Sequence, residues 1–251
     1  MNEKFTSIIV SAFIGVLAYI CTDVLHEVVG HGSAALVSGS TITLLTSVYF
    51  RSVPASFIIG LSGPFSNLLW GLLLFVVLAY RPPKSLLIVL SLTTVMAYNL
   101  FWFSGTIVQS AFAKTGDWTY AMAQLNPGVW GKPLLFILGV SVYWASIKMV
   151  ANRFSDIPSR FTKITLRQSV TYAFLFGALS AAIAGLFYAP DRWTASKEGL
   201  LEMVASLPIL FLNRDQNEWV TDKPMKAGWI FYLVVSIAYL LFCFFLGRGI
   251  Y

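Results

Sequence analysis

The chain has 251 residues, of which 57% are hydrophobic and only 11% charged, with 17 Lys and Arg against 11 Asp and Glu. Soluble domains carry about 25% charged residues, so most of this surface faces a solvent other than water, and the bilayer is that solvent. The two cysteines lie in apolar stretches, which excludes a disulfide scaffold, and the scattered basic residues behind the net charge of +6 suit anionic lipid better than a nucleic-acid groove.

Crossing ~30 Å of hydrocarbon takes about 20 apolar residues in a helix. Six stretches qualify, at 6–25, 56–80, 85–105, 130–150, 168–189 and 228–247. The expected fold is therefore an all-α polytopic membrane protein of about six transmembrane helices. The first stretch has Lys4 before it but no small-residue cleavage site after it, so it reads as a retained span.

Residues 40–50, β-branched and aromatic with partial alternation, read as a short β-hairpin or strand pair between the first two spans. Arg81-Pro82-Pro83-Lys84 reads as a tight turn between spans two and three. Segment 151–167 mixes basic and apolar residues, as a headgroup-seated helix or a solvated basic loop does. Segment 190–226, with Trp193 and Trp219, is the longest polar piece and reads as a connecting loop, a lid or a substrate-docking element. The chain divides into a core of four spans, 1–150, and an addition of two spans, 151–251, that includes this segment. With the amino terminus in the cytoplasm, nine basic residues from Lys4 to Arg248 fall inside, and both termini are expected there. Expected partners are membrane lipids, a substrate and an unidentified regulatory membrane protein, with no nucleic acid.

The chain has two histidines, His26 and His31, with Glu27 between them and Asp23 just before. Ionisable groups in a membrane helix are costly and usually carry a function. Two neutral imidazoles can hold a metal, and a nearby Glu can take a proton from water activated by it. Histidines four apart, as in His-Glu-x-x-His, share one helix face, whereas five apart places them about 140° around a regular helix. A shared metal therefore requires an extra residue absorbed locally, as in a π-bulge, and Gly30 is the residue best able to take up a strained backbone. Without that distortion the two histidines simply hydrogen-bond other helices.

Leu25-His26-Glu27-Val28-Val29-Gly30-His31-Gly32-Ser33 resembles the first motif of the site-2 protease family of intramembrane zinc metallopeptidases. Gly63-Pro64-Phe65-Ser66-Asn67 is similar to the family's Gly-Pro-x-x-Asn element. Tyr98-Asn99-Leu100-Phe101 and Thr115-Gly116-Asp117-Trp118 are similar to its Asn-Leu segment and to the Asp that supplies its remaining ligand. The resemblance implies Zn2+ held by His26, His31 and Asp117, Glu27 as general base, and a transmembrane substrate cleaved near the membrane face. Asp117 is the only acidic residue between Glu27 and Asp156, so a third ligand from the first four spans is Asp117 or Asp23. Asp23 is better placed to orient an imidazole, and a helix N-cap is the ordinary alternative for Asp117. Asn67 and Asn99 are candidates to bind the substrate backbone or to join helices. Two other functions remain open on the residues alone: a non-proteolytic metal-binding, transport or degenerate protease-like protein, and a zinc hydrolase acting on a lipid amide.

Overall fold

The computed structural model describes residues 3–158, 160–161, 164–212, 220–221 and 225–251. Among them, six helical stretches are long and apolar enough to cross a membrane: Glu3–Val37, Phe57–Tyr80, Leu86–Phe112, Gly128–Ser155, Leu166–Leu186 and Trp229–Gly247. The protein is a helical multi-pass membrane protein. Leu69, Val76, Ile137 and Leu240 lie on its outer surface, as expected where lipid is the solvent.

The first stretch joins α1 (Glu3–Asp23), a π-helix (Val24–Gly32) and α2 (Ser33–Val37). Gly39, at φ +69°, turns the chain into the antiparallel hairpin of β1 (Thr41–Leu45) and β2 (Phe50–Val53). The expected strand pair is present, but its second strand begins only where the alternating pattern ended. The Thr46 hydroxyl closes the turn by accepting from the amides of Val48 and Tyr49.

Ser56 caps α3 (Phe57–Tyr80) by accepting from the Ile59 amide. The central helix α4 (Leu86–Phe112) packs on α1 and α3 and outruns its expected end, reaching Phe112. A short α5 (Asp117–Leu125) leads to α6 (Gly131–Ser155). Segment 151–167 is neither a headgroup helix nor a plain loop: its first residues complete α6, and β3 (Arg160–Phe161) and β4 (Ile164–Thr165) follow. Thr165 and Gln168 then form a capping box that starts α7 (Leu166–Leu186). α1 and α7 meet backbone to backbone, since a β-carbon at Gly15 would run into the Ala173 carbonyl, the small-residue packing typical of membrane helices.

Segment 190–226 departs most from expectation. Its helix α8 (Arg192–Val204) runs back along α7, with Ala195 against Gly185, Gly199 against Ala181 and Met203 against Gly177. Ala205 packs on Gly105 of α4, and its carbonyl accepts the Tyr143 hydroxyl of α6. At the far end of the bundle β5 (Val220–Thr221) pairs with β3, and Met225 and Lys226 line a cavity with Leu78, Lys84 and Arg153. The described residues of the segment thus reach both ends of the bundle. The place of α8 in the bundle escaped recognition because this helix is polar and only 13 residues long. Trp193 is exposed on α8, and Trp219 lies outside the described residues.

α9 (Trp229–Phe242) therefore runs in the same direction as α7, and the chain finishes with Gly247 against Ala184 and Ile250 bridged to Leu45. Glu3 begins the long first helical stretch, whose other end carries that hairpin. The two chain ends consequently lie at opposite ends of the bundle.

Candidate metal centre

The segment around the histidines is a π-helix from Val24 to Gly32. Its i→i+5 hydrogen bonds stack residues five apart nearly one above the other, which removes the 140° offset of a regular helix. His26 and His31 therefore face the same way, and their Nε2 atoms are 3.2 Å apart. Gly30 serves a different purpose from the one expected. Its φ is not positive, and what it provides is closeness: a β-carbon there would stand 2.5 Å from Gly63 Cα and 2.8 Å from the Ser62 carbonyl oxygen of α3. Gly63 in turn leaves room for the imidazoles, because a β-carbon at that position would lie 2.8 Å from His26 Nε2 and against His31 Nε2.

Hydrogen bonds fix both rings. His31 Nδ1 lies 2.6 Å from the Ile59 carbonyl oxygen, which can only accept, so Nδ1 carries the proton and Nε2 presents a lone pair. His26 Nδ1 lies 2.5 Å from Asn67 Oδ1. The Asn67 amide is itself held in that sense, its nitrogen donating to the Thr22 carbonyl and to Asn99 Oδ1, while the Asn99 amide donates to Thr22 Oγ1 and the Val95 carbonyl. This chain of acceptors makes His26 Nδ1 a donor and leaves its Nε2 with a lone pair as well. Ring contacts complete the setting: Phe50 of β2 stacks on His31 at 5.2 Å, and Trp102 meets His26 edge-on at 6.1 Å.

Asp117 closes the third side. Its carboxylate oxygens lie 3.2 Å from His26 Nε2 and 3.5 Å from His31 Nε2. The N-cap of α5 is Gly116, whose φ of +116° turns the chain, so Asp117 does not cap the helix. Trp118 anchors the turn by donating to Thr106 Oγ1 and packing between Phe65 and Phe103.

Two imidazole lone pairs 3.2 Å apart, each with a different oxygen of the Asp117 carboxylate 3.2–3.5 Å away, form a donor set suited to a cation. Ligands about 2.0–2.2 Å from a tetrahedral ion stand about 3.3–3.6 Å from one another. A proton on one nitrogen would satisfy a single contact, whereas a metal satisfies all three. Glu27 is adjacent: a ligand atom from each of His26, Glu27 and His31 falls within 4.8 Å of the others, and Glu27 Oε2 is buried with no hydrogen-bond partner among the described residues. These side chains line a cavity of about 800 Å³ that also takes in Arg51, Trp102, Tyr120, Glu198 and Glu202.

The structure thus brings together His26, Glu27, His31 and Asp117, but it gives the remaining candidates other roles. Asn67 and Asn99 are wholly buried and spend their amides on each other, on α1 and on His26, so they are not available to substrate. Asn67 and the Ile59 carbonyl, rather than Asp23, orient the imidazoles, and Asp23 sits beside Tyr19 instead. Sequence reasoning missed Trp102 and Glu202, because neither belongs to a motif and α8 was not expected at the site.

The chain matches no protein-family model, no curated protein and no solved structure.

Proposed function

We propose that the protein is a zinc-dependent intramembrane metallopeptidase, and that its likeness to the site-2 proteases reflects a shared chemistry. The observation that carries this reading is the convergence of two imidazole lone pairs and the Asp117 carboxylate beside Glu27, whose buried Oε2 has no hydrogen-bond partner among the described residues. A donor set of two imidazoles and one carboxylate favours zinc. His26, His31 and Asp117 would hold the ion, which would supply a water of lowered pKa and polarise the scissile carbonyl.

Glu27 is the proton carrier. It takes the proton of the attacking water and delivers it to the nitrogen of the leaving amine. Asn67 and Ile59 keep both Nε2 lone pairs turned inward throughout. The substrate is a transmembrane segment unwound locally within the cavity, since a peptide bond inside a helix is closed to attack by its own hydrogen bonds.

Metal analysis of detergent-purified protein tests this reading. One zinc per chain is expected in wild type and in Glu27→Gln, and none in His26→Ala. Cleavage of an apolar peptide should be present only in wild type. Wild-type protein without stoichiometric zinc, or a zinc-loaded wild type that turns over a lipid amide and no peptide, overturns it.

A further inference from the structure

Three of the side chains that line the cavity hold a buried polar atom with no hydrogen-bond partner among the described residues: Glu27 Oε2, Trp102 Nε1 and Glu202 Oε2. The peptidase reading employs only the first. The other two are one donor and one acceptor, since an indole N–H can only donate. They come from separate elements, Trp102 from α4 and Glu202 from α8.

Both positions are rigid. Trp102 is 3% exposed and wedged against His26 and Tyr19. Glu202 is fixed because α8 is clamped on two sides: Gly199 and Met203 pack on α7, and Ala205 packs on Gly105 while its carbonyl binds Tyr143. α8 is therefore a wall of the cavity. Glu202 lines the same cavity as Glu27, His26 and Asp117.

A membrane segment unwound for cleavage brings freed backbone N–H and C=O groups with it, and inside the bilayer each must find a partner. The need is for one acceptor and one donor close to the general base. We propose that Trp102 and Glu202 form a backbone clamp for the substrate, Trp102 Nε1 donating to a peptide carbonyl and Glu202 accepting from a peptide N–H. This assigns to them the substrate contact first expected of Asn67 and Asn99, and it rests on the peptidase reading.

The test uses zinc-loaded, full-length Glu27→Gln protein in detergent, which binds without cutting, and a fluorescent apolar peptide followed by anisotropy. Trp102→Phe and Glu202→Leu, each added to Glu27→Gln, should weaken binding roughly 3- to 10-fold, the worth of one net hydrogen bond. Glu202→Gln, which keeps an acceptor oxygen, should restore affinity to within about 2-fold of the Glu27→Gln background. Zinc content should be unchanged throughout. If wild type cleaves the peptide but both variants bind as tightly as the background, or Glu202→Gln binds as weakly as Glu202→Leu, the clamp alone is overturned. If zinc-loaded wild type neither binds nor cleaves peptides, the peptidase reading falls and takes the clamp with it.

Discussion

His26 and His31, separated by four residues in the chain, point their Nε2 atoms at one another across 3.2 Å. Only the π-helix between Val24 and Gly32 makes this possible. Removing one residue from that turn, by deleting Val29, leaves the histidines four apart, the spacing at which a regular α-helix puts both on one face. The deletion variant should therefore keep stoichiometric zinc. Inserting one residue instead should abolish it, and metal analysis of the two purified proteins checks both outcomes.

Gly63 is the position where the smallest change should do the most damage. A methyl group there meets both imidazoles, and the backbones of α3 and the π-helix already touch at Gly30. Gly63→Ala should lose zinc and cost about 1–3 kcal/mol in stability, the usual range for overpacking. A denaturation series run with and without zinc separates the two effects: the variant should be less stable than wild type in both and gain nothing from the metal.

Asn67 holds the His26 tautomer. Groups that orient a metal ligand typically contribute 10- to 100-fold to metal affinity, so Asn67→Ala should weaken zinc binding by about that factor. Asn99→Ala acts one bond further away, through the orientation of the Asn67 amide, and should cost less. Competition with a fluorescent zinc chelator measures both, and equal affinities in wild type and Asn67→Ala would contradict the assigned tautomer.

Asp117 and Glu27 are both carboxylates at the centre, but their expected phenotypes differ. Asp117→Asn removes a charged ligand and should release zinc to a chelator that leaves wild type loaded. Glu27→Gln should hold zinc as wild type does and lose cleavage by at least about 100-fold, the lower range for a general base. The same chelator titration, run beside a peptide cleavage assay, distinguishes them.

The sequence made the spans legible because about 20 apolar residues in a row have few other uses, and it made the four residues of the centre legible because ionisable groups are scarce in such a chain. The requirement for a π-distortion was also readable, from the five-residue spacing alone. The purpose of Gly30 was not, since close approach to Gly63 depends on a partner 33 residues away. Asn67 took the orienting role expected of Asp23 for the same reason: which one reaches an imidazole is settled by how α1 and α3 cross. α8 was hidden because its polar composition, which signals water in isolation, is explained here by a cavity that needs polar walls.

The course of α8 back along α7 has a topological consequence. Glu3 and Ile250 stand at opposite ends of the bundle, so one copy of the chain presents its two ends on different faces of the molecule. A protein that recognises the C-terminal residues would meet Asp191 and the hairpin end of the bundle, and one that recognises Glu3 and Lys4 would meet the end that carries the turn at Arg81-Pro82-Pro83-Lys84. Contacts made at the two ends of this chain therefore fall at opposite ends of one bundle.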